Sequence, residues 1–232
     1  MIRKSILKKW VKERPLLYLT AKFVYFRIFE RLKSFSGSED YWIQRYKSGG
    51  NSGGGSYDKF AQFKAEILND FVRKKQINTV IEFGCGDGNQ LTLSEYPSYI
   101  GFDVSQEAIL RCKALFQNDD SKSFKVMRGY ENEKAELTLS LDVIYHLIED
   151  EIFFSYMNLL FNSSTRFVII YSSNTEKQAK LQASHIRHRE FTKWIEQNRA
   201  KWELLHYIPN RYPYNKSKFG SPADFYIYKR VI

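Results

Sequence analysis

A glycine-rich turn directly after a short apolar run has the residue types of a ligand site. Gly84, Gly86 and Gly88 alternate with other residues immediately after the run Thr79–Phe83. Glycines in such a turn permit unusual backbone angles and let a ligand approach the main chain. The spacing is not that of a dinucleotide fingerprint, which requires glycine where Asn89 stands, and the chain has no Gly-Lys-Ser/Thr phosphate loop.

An acidic residue, Asp103, ends the next apolar run, about twenty residues after the turn. A carboxylate at this place can accept hydrogen bonds from both hydroxyls of a ribose. Each signal alone is weak, because a glycine-rich turn is often only a turn and a strand-end Asp often only caps a helix. In this order and at this spacing, the two features predict a nucleoside-binding site.

His146 is the first candidate for a general base. It follows the fourth apolar run by a few residues, and the ordinary pKa of imidazole suits proton removal near neutral pH. Asp142 precedes it and is a candidate to orient it, or to contact an amino group of the ligand. The alternatives are a structural histidine bonded to the backbone and a helix N-cap at Asp142.

A second group of polar residues follows the fifth apolar run. Two histidines, His185 and His188, alternate there with Arg187 and Arg189. Arginines suit a phosphate or carboxylate, and His188 is a second candidate base, so the group predicts binding of an anionic substrate. The alternative is the solvated start of a helix. Two histidines at this spacing lack a third ligand nearby, so no metal site is expected.

The C-terminal region is rich in aromatic residues, among them Tyr212 and Tyr214. Aromatic planes suit sugar rings or a nucleobase, but an aromatic edge hairpin is equally expected as core. The two cysteines, Cys85 and Cys112, are too few for a disulfide framework and fit a reducing compartment. Cys85 is interpreted as a small buried residue within the turn.

Apolar runs and helical patterns alternate along the middle of the chain. The runs are 79–83, 99–103, 124–127, 137–141 and 167–171, and helices fit at 57–75, 106–116 and 151–161. This alternation predicts a parallel sheet covered by helices on both faces. The end differs, with a helix at 187–198 and two aromatic runs, 202–208 and 225–231, that can pair antiparallel at the sheet edge.

The positive charge is concentrated at the start of the chain. The 232 residues carry a net charge of +10, and residues 1–33 hold ten Lys or Arg against two Glu, which leaves the remainder nearly neutral. Residues 1–34 are therefore predicted to be a basic amphipathic helical arm, suited to an anionic membrane surface or to packing on the domain. Residues 35–56 are predicted to be a glycine-rich hinge or lid, and residues 57–232 the main domain.

Three segments resemble motifs of the class I S-adenosylmethionine-dependent methyltransferases. Residues 82–88, which read E-F-G-C-G-D-G, are similar to the first motif, and residues 101–105, G-F-D-V-S, to the second. Residues 140–147, S-L-D-V-I-Y-H-L, look like the fourth-strand motif that borders the methyl group. The resemblance covers about residues 57–172. It implies a Rossmann-like, doubly wound α/β fold whose mainly parallel seven-stranded sheet ends in a C-terminal antiparallel hairpin, here after an N-terminal helical extension.

The resemblance also implies a cofactor, S-adenosyl-L-methionine, and residues that hold it. Glu82, Gly84 and Gly86 would flank its methionine part, and Asp103 would hold its ribose. Further cofactor contacts are expected from Phe83, Cys85, Val104, Leu141 and Asp142. Many relatives carry an acidic residue after the third strand that holds the adenine; residues 126–130 have none, so backbone groups or Tyr130 would serve.

The implied activity is methyl transfer to an oxygen, less readily to a nitrogen, of a polar or anionic small molecule or glycan. The pattern, basic arm included, is similar to small methyltransferases of bacterial surface-polysaccharide pathways. A cytoplasmic protein, peripheral at the inner face of the membrane, is expected. Two alternatives stay open: an RNA or nucleotide methyltransferase, and a non-catalytic nucleoside-binding relative. Nucleic acid is disfavoured as a partner because the basic charge is confined to one segment.

Overall fold

The computed structural model describes residues 35–180, 182–214 and 220–231. The basic arm predicted at residues 1–34 lies outside the described residues. No helix in the described part of the chain is long and apolar enough to cross a membrane.

A seven-stranded sheet in the order β3-β2-β1-β4-β5-β7-β6 organises the chain. Its strands are β1 (Thr79–Phe83), β2 (Ser98–Asp103), β3 (Lys122–Val126), β4 (Ala135–Leu141), β5 (Ser164–Ser172), β6 (Trp202–Ile208) and β7 (Asp224–Arg230). The strands β1 to β5 pair in parallel, whereas β7 pairs antiparallel with both β5 and β6. The predicted doubly wound, Rossmann-like sheet with an antiparallel end is therefore confirmed.

Helices cover both faces of the sheet. In chain order the described helices are α1 (Ser38–Lys47), α2 (Asp58–Lys75), α3 (Gln106–Leu115), α4 (Asp150–Asn162) and α5 (Phe191–Asn198). The apolar stripe of α2, with Phe63 and Leu68, packs on one face of the central strands. Met157 and Leu160 of α4 pack on the other face. Since both faces are covered, β1, β4 and β5 are nearly continuous apolar runs.

Two elements differ from the sequence-based expectation. Helix α1 lies within residues 35–56, which were predicted to be hinge or loop. The buried residues of α1 are only Ser38 and Tyr46, so the helix has no apolar stripe that its sequence would reveal. The helix predicted at 187–198 begins only at Phe191, because Arg187 and Arg189 are drawn into contacts with the chain between β4 and α4.

Helix α1 lies above the carboxyl ends of the strands and is held at both of its ends. At its start, the Ser38 hydroxyl donates to Glu149 (2.6 Å) and accepts from the backbone N–H of Ile148 (2.9 Å). At its end, the guanidinium of Arg111 in α3 donates to the carbonyl oxygens of Tyr46 (2.7 Å) and Gly50 (2.6 Å). The segment predicted as a lid is thus anchored over the sheet edge where β1, β2 and β4 end.

Candidate functional site

A cavity of about 520 Å³ opens at the carboxyl ends of β1, β2 and β4, beneath helix α1. In a doubly wound sheet, this edge is where ligands bind. The described residues that line it are Ser38, Glu39, Trp42, Tyr46, Ser52, Ser56, Lys64, Glu82, Gly84, Cys85, Gly86, Gln90, Asp103, Val104, Met127, Leu141, Asp142, Val143, His146, Leu147, Glu151, Ile152, Ser155, Tyr156 and Leu159. Most cofactor residues expected from the sequence are therefore brought together in one place.

Asp103 ends β2 with a buried carboxylate that is fixed by backbone donors. One oxygen accepts from the N–H of Gly86 (3.0 Å), and the other accepts from the N–H of Ser105 (2.9 Å). Burial raises the pKa of Asp103 to about 6, against these hydrogen bonds, which favour the ionised form. The carboxylate thus joins the glycine turn to the end of β2 and lines the cavity as a hydrogen-bond acceptor.

Glu82 lies one strand away, near the end of β1. The Tyr99 hydroxyl donates to its carboxylate at 2.7 Å. Burial raises the pKa of Glu82 to about 7, and the nearby ammonium group of Lys64 opposes that rise. Two carboxyl groups with raised pKa values thus line the same cavity, which is typical of a functional site.

The glycine turn is hydrogen-bonded to residues 38–56, which form the roof of the cavity. The carboxylate of Asp87 accepts from the backbone N–H (3.0 Å) and hydroxyl (2.8 Å) of Ser52, and from the hydroxyl of Tyr57 (2.7 Å). Burial works against ionisation of Asp87, but these hydrogen bonds hold its pKa below the usual value. A Cβ atom at Gly86 would lie 2.2 Å from the Ser52 hydroxyl oxygen. Glycine is therefore required at position 86 because Ser52, in the roof of the cavity, lies close to the backbone of the turn.

A buried ion pair, Lys64 with Asp142, forms the floor of the cavity beside Glu82. The ammonium nitrogen lies 2.7 Å from the Asp142 carboxylate, and the Lys64 side chain is only 1% exposed. The Tyr145 hydroxyl donates to the other carboxylate oxygen at 2.7 Å. Asp142 was expected to orient His146, to contact an amino group of the ligand or to cap a helix; its carboxylate lines the cavity and is held by Lys64 and Tyr145.

Sequence reasoning missed Lys64, although one signal was present. Lys64 lies four residues after Phe60 and four before Leu68 in α2, so it occupies the apolar stripe that faces the sheet. A lysine at such a position is almost never fully buried unless it is paired. The spacing alone therefore indicates a buried cation that needs a carboxylate partner.

His146 lines the cavity and is held by the chain that follows β5. Its ring nitrogen Nδ1 lies 2.9 Å from the backbone carbonyl oxygen of His185. The Trp42 ring lies nearly perpendicular to it, with ring centroids 4.9 Å apart. Burial lowers the pKa of His146 to about 4, so the ring is neutral at neutral pH. Of the three histidines that sequence reasoning considered, this one borders the cavity.

The group at residues 185–189 makes internal contacts, and none of the cavity-lining residues in the described chain comes from it. His185 stacks on Tyr41 of α1, with ring centroids 4.1 Å apart. His188 is hydrogen-bonded through Nδ1 to the Ser173 hydroxyl at 2.6 Å. The structure thus places His188 and His185 apart from the cavity lining, and the base role of His188 and substrate binding by His185 stay predictions.

The two arginines of this group stabilise the start of α4. Arg187 donates to the carbonyl oxygen of Ile148 (2.7 Å) and lies 3.1 Å from the Asp150 carboxylate. Arg189 is buried; it also donates to the Ile148 carbonyl oxygen (2.8 Å) and forms an ion pair with Asp150. Arg187 thus uses Nη1 within the fold, and Arg189 uses Nε and both Nη nitrogens; their binding of an anionic substrate stays a prediction.

Four aromatic residues with proposed ligand roles lie elsewhere. Tyr212 packs edge-to-face on Phe60, with centroids 6.0 Å apart, and Tyr214 is 67% exposed away from the cavity lining. Phe83, expected to contact the cofactor, is fully buried and stacks on Phe102, because alternate residues of a strand face opposite sides of the sheet. Tyr130 is hydrogen-bonded to the Ser163 hydroxyl (2.7 Å) and does not line the cavity.

Cys85 lies within the glycine turn, and Cys112 of α3 contacts the turn. Cys85 and Cys112 are free and buried, and the Cys112 thiol lies 3.2 Å from the Gly86 carbonyl oxygen. A hydrogen bond with Cys112, together with burial, raises the pKa of the Cys85 thiol.

In residues 35–180, 182–214 and 220–231, no group of three or more His, Cys, Asp or Glu side chains is placed to hold a metal ion.

Comparison with solved structures identifies the fold. The N-methyltransferase NodS from Bradyrhizobium japonicum WM9, in complex with S-adenosyl-L-homocysteine, matches with a TM-score of 0.64 at 11% identity, over 84% of this chain and 99% of that one. Magnesium protoporphyrin IX methyltransferase (ChlM) from Synechocystis PCC 6803, with bound S-adenosylmethionine, matches with a TM-score of 0.59 at 12% identity, over 85% and 99%.

A third match is the methyltransferase domain of bacterial CtHen1-C, with a TM-score of 0.58 at 18% identity, over 74% of this chain and 98% of that one. No protein-family model matches the sequence, and the search of curated proteins gives no match. The chain thus has the Rossmann-like fold of class I S-adenosylmethionine-dependent methyltransferases.

Proposed function

We propose that the chain is an S-adenosylmethionine-dependent methyltransferase and that the cavity binds this cofactor. The observation that carries the proposal is the position of Asp103: a buried carboxylate at the end of β2, fixed by the glycine turn and bordering the cavity. When ionised, it can accept hydrogen bonds from the two ribose hydroxyls. Val104 and Met127, which line the cavity beside it, supply apolar contacts for the adenine.

The other end of the cavity fits the amino-acid part of the cofactor. A methionine group carries one ammonium and one carboxylate, and Lys64 and Asp142 present the complementary charges 2.7 Å apart. Glu82 and the turn residues Gly84 and Gly86 lie between this ion pair and Asp103 on the cavity wall. The charged groups present are therefore those that the cofactor requires.

The cofactor supplies a methyl group on a positively charged sulfur, and the protein must align the acceptor with it. His146 borders the cavity near Asp142 and carries no proton on Nε2, because Nδ1 donates to the His185 carbonyl. An imidazole with a low pKa is a weak base, but a hydroxyl oxygen that gains a methyl group becomes strongly acidic. His146 therefore suits removal of a hydroxyl proton late in the transfer, which favours O-methylation.

The acceptor expected from the sequence is a polar or anionic small molecule or a glycan, methylated by a cytoplasmic enzyme at the inner face of the membrane. The glycan pathway and the location stay predictions. Arg187 and Arg189, which led to the expectation of an anionic acceptor, form ion pairs with Asp150. The roof formed by residues 38–56 is proposed to act as a lid that excludes water from the sulfur.

Calorimetric titration of the full chain tests this function. S-adenosylmethionine or S-adenosylhomocysteine should bind, and NAD should not. Asp103→Ala should lose about 1–3 kcal/mol of binding free energy, the order expected when hydroxyls lose a charged acceptor. Asp120→Ala, at an exposed residue, is the matched control and should bind as the wild type does. Tight binding of NAD, or full affinity in Asp103→Ala, would overturn the proposal.

A further inference from the structure

Part of the cavity lies beyond the residues that the cofactor needs. Its walls there come from α1, from the chain that follows β4, and from α4. These walls combine the apolar residues Trp42, Val143, Leu147, Ile152 and Leu159 with polar ones, among them Ser38, Glu39, His146, Glu151 and Ser155. Trp42 also borders His146, with ring centroids 4.9 Å apart. A group that reaches the proposed base therefore lies against an aromatic ring and aliphatic side chains.

The charges that border the cavity are predominantly negative. The described lining residues include five carboxylates (Glu39, Glu82, Asp103, Asp142 and Glu151) and one ammonium group, that of Lys64. The cofactor adds one net positive charge when bound. With Glu82 and Asp103 protonated, three carboxylates still face the ammonium group of Lys64, so the net charge stays negative after the cofactor has bound.

The acidic residues outside the cofactor region are Glu39 on α1 and Glu151 on α4, and both border the cavity. Among the described residues, Glu39 forms an ion pair with Arg128, at 3.5 Å. The Arg128 and Glu39 side chains are 86% and 48% exposed, so solvent screens this pair. A phosphate or carboxylate on the acceptor would therefore meet like charges from α1 and from α4.

We infer that the methyl acceptor is a largely apolar hydroxyl compound without phosphate or carboxylate groups, held between α1 and α4. This inference rests on the proposed function. The hydroxyl oxygen forms a bond to the methyl carbon as the carbon–sulfur bond breaks and its electron pair returns to sulfur. The hydroxyl proton passes to Nε2 of His146. Trp42 and Ile152 contact the apolar body of the acceptor, and Glu39 and Glu151 exclude anionic compounds.

Labelling of fractionated metabolites tests the acceptor class. An extract of the native cells is separated by ion exchange into anionic, cationic and uncharged fractions, and each is incubated with the full chain and S-adenosylmethionine that carries a labelled methyl group. We expect label in the uncharged fraction, on a product that partitions into organic solvent. Label mainly in the anionic fraction would overturn the inference and leave the methyltransferase function standing. Label in no fraction would overturn both.

A charge-reversal pair tests the role of the two acidic residues. Glu39→Lys combined with Glu151→Lys should increase labelling of the anionic fraction at least several-fold relative to the wild type. Glu131→Lys combined with Glu203→Lys makes the same change of charge at exposed residues outside the cavity. This control should leave the labelling pattern unchanged. Equal patterns in the two double variants, with S-adenosylhomocysteine still bound by both, would refute the exclusion of anions by Glu39 and Glu151.

Discussion

The imidazole of His146 donates its Nδ1 proton to the backbone carbonyl oxygen of His185 across 2.9 Å. Because a carbonyl oxygen only accepts, this bond determines the tautomer of the neutral ring and leaves the lone pair on Nε2. The His185 ring in turn stacks on Tyr41 of α1. The orientation of the proposed base therefore depends both on the chain after β5 and on the roof of the cavity.

His146→Gln should lower the turnover of methyl transfer by about 10²–10⁴-fold, the usual effect of losing a general base. The affinity for S-adenosylhomocysteine should stay near that of the wild type, because His146 acts on the acceptor. Single-turnover rates on the active fraction and calorimetric titration measure the two quantities. His206→Gln, at an exposed residue of β6, is the matched control. Wild-type turnover in His146→Gln would show that another group is the general base.

Cofactor affinity should depend on pH through Asp103. Burial raises its pKa to about 6, and the ionised form is the one that accepts both ribose hydroxyls. Affinity for S-adenosylhomocysteine should therefore be full above about pH 7 and should fall as the pH drops through 6, by up to about tenfold per pH unit. Titrations between pH 8 and pH 5 measure the change.

Asp103→Asn removes the titrating group at nearly the same size. It should bind more weakly at neutral pH, and its affinity should vary less with pH than that of the wild type. Glu82, whose pKa burial raises to about 7, titrates in the same range, so Glu82→Gln is the comparison variant. An unchanged pH dependence in Asp103→Asn would assign the titration to another group.

The cofactor half of the site was predictable from local sequence. The turn at residues 84–88 and Asp103 lie at the ends of adjacent parallel strands, so their meeting follows from the strand–helix alternation alone. Lys64 was predictable in principle, from a charge on the apolar stripe of α2.

The other half depends on contacts between residues distant in sequence. Arg189 donates hydrogen bonds to the carbonyl oxygens of Leu147 and Ile148, which lie about forty residues earlier in the chain. No local pattern distinguishes such an arginine from one that binds substrate. Helix α1 was missed because it is fixed by polar contacts, such as those of Ser38 with Glu149, rather than by an apolar stripe.

Loss of one member of the buried ion pair should destabilise the fold. Asp142 has a positive φ of 60°, a conformation that asparagine tolerates well, so Asp142→Asn removes the charge with little backbone strain. Lys64 would be left buried without its partner, and the free energy of unfolding should fall by about 3–5 kcal/mol. Chemical denaturation measures the loss.

Lys64→Met combined with Asp142→Asn should recover part of that stability, because neither buried charge is then unpaired. Asp70→Asn breaks exposed ion pairs with Arg73 and Lys74 and serves as the control; its stability should match the wild type within the error of the method. If Asp142→Asn were as stable as this control, the ion pair would carry no structural weight.

Gly86 tests whether the roof is a lid coupled to the turn. It adopts a positive φ of 61°, and a Cβ atom there would lie 2.2 Å from the Ser52 hydroxyl oxygen and 2.9 Å from the Tyr46 hydroxyl oxygen.

In the wild type, backbone hydrogen exchange at residues 46–56 should slow when S-adenosylhomocysteine binds. Gly86→Ala should displace the roof, so exchange there should be faster and the slowing on binding largely lost. Gly129→Ala, where a Cβ atom meets nothing within 4 Å, is the matched control and should behave as the wild type does. If backbone hydrogen exchange at residues 46–56 is slow, and neither S-adenosylhomocysteine nor Gly86→Ala changes it, then these residues form a static wall and not a lid.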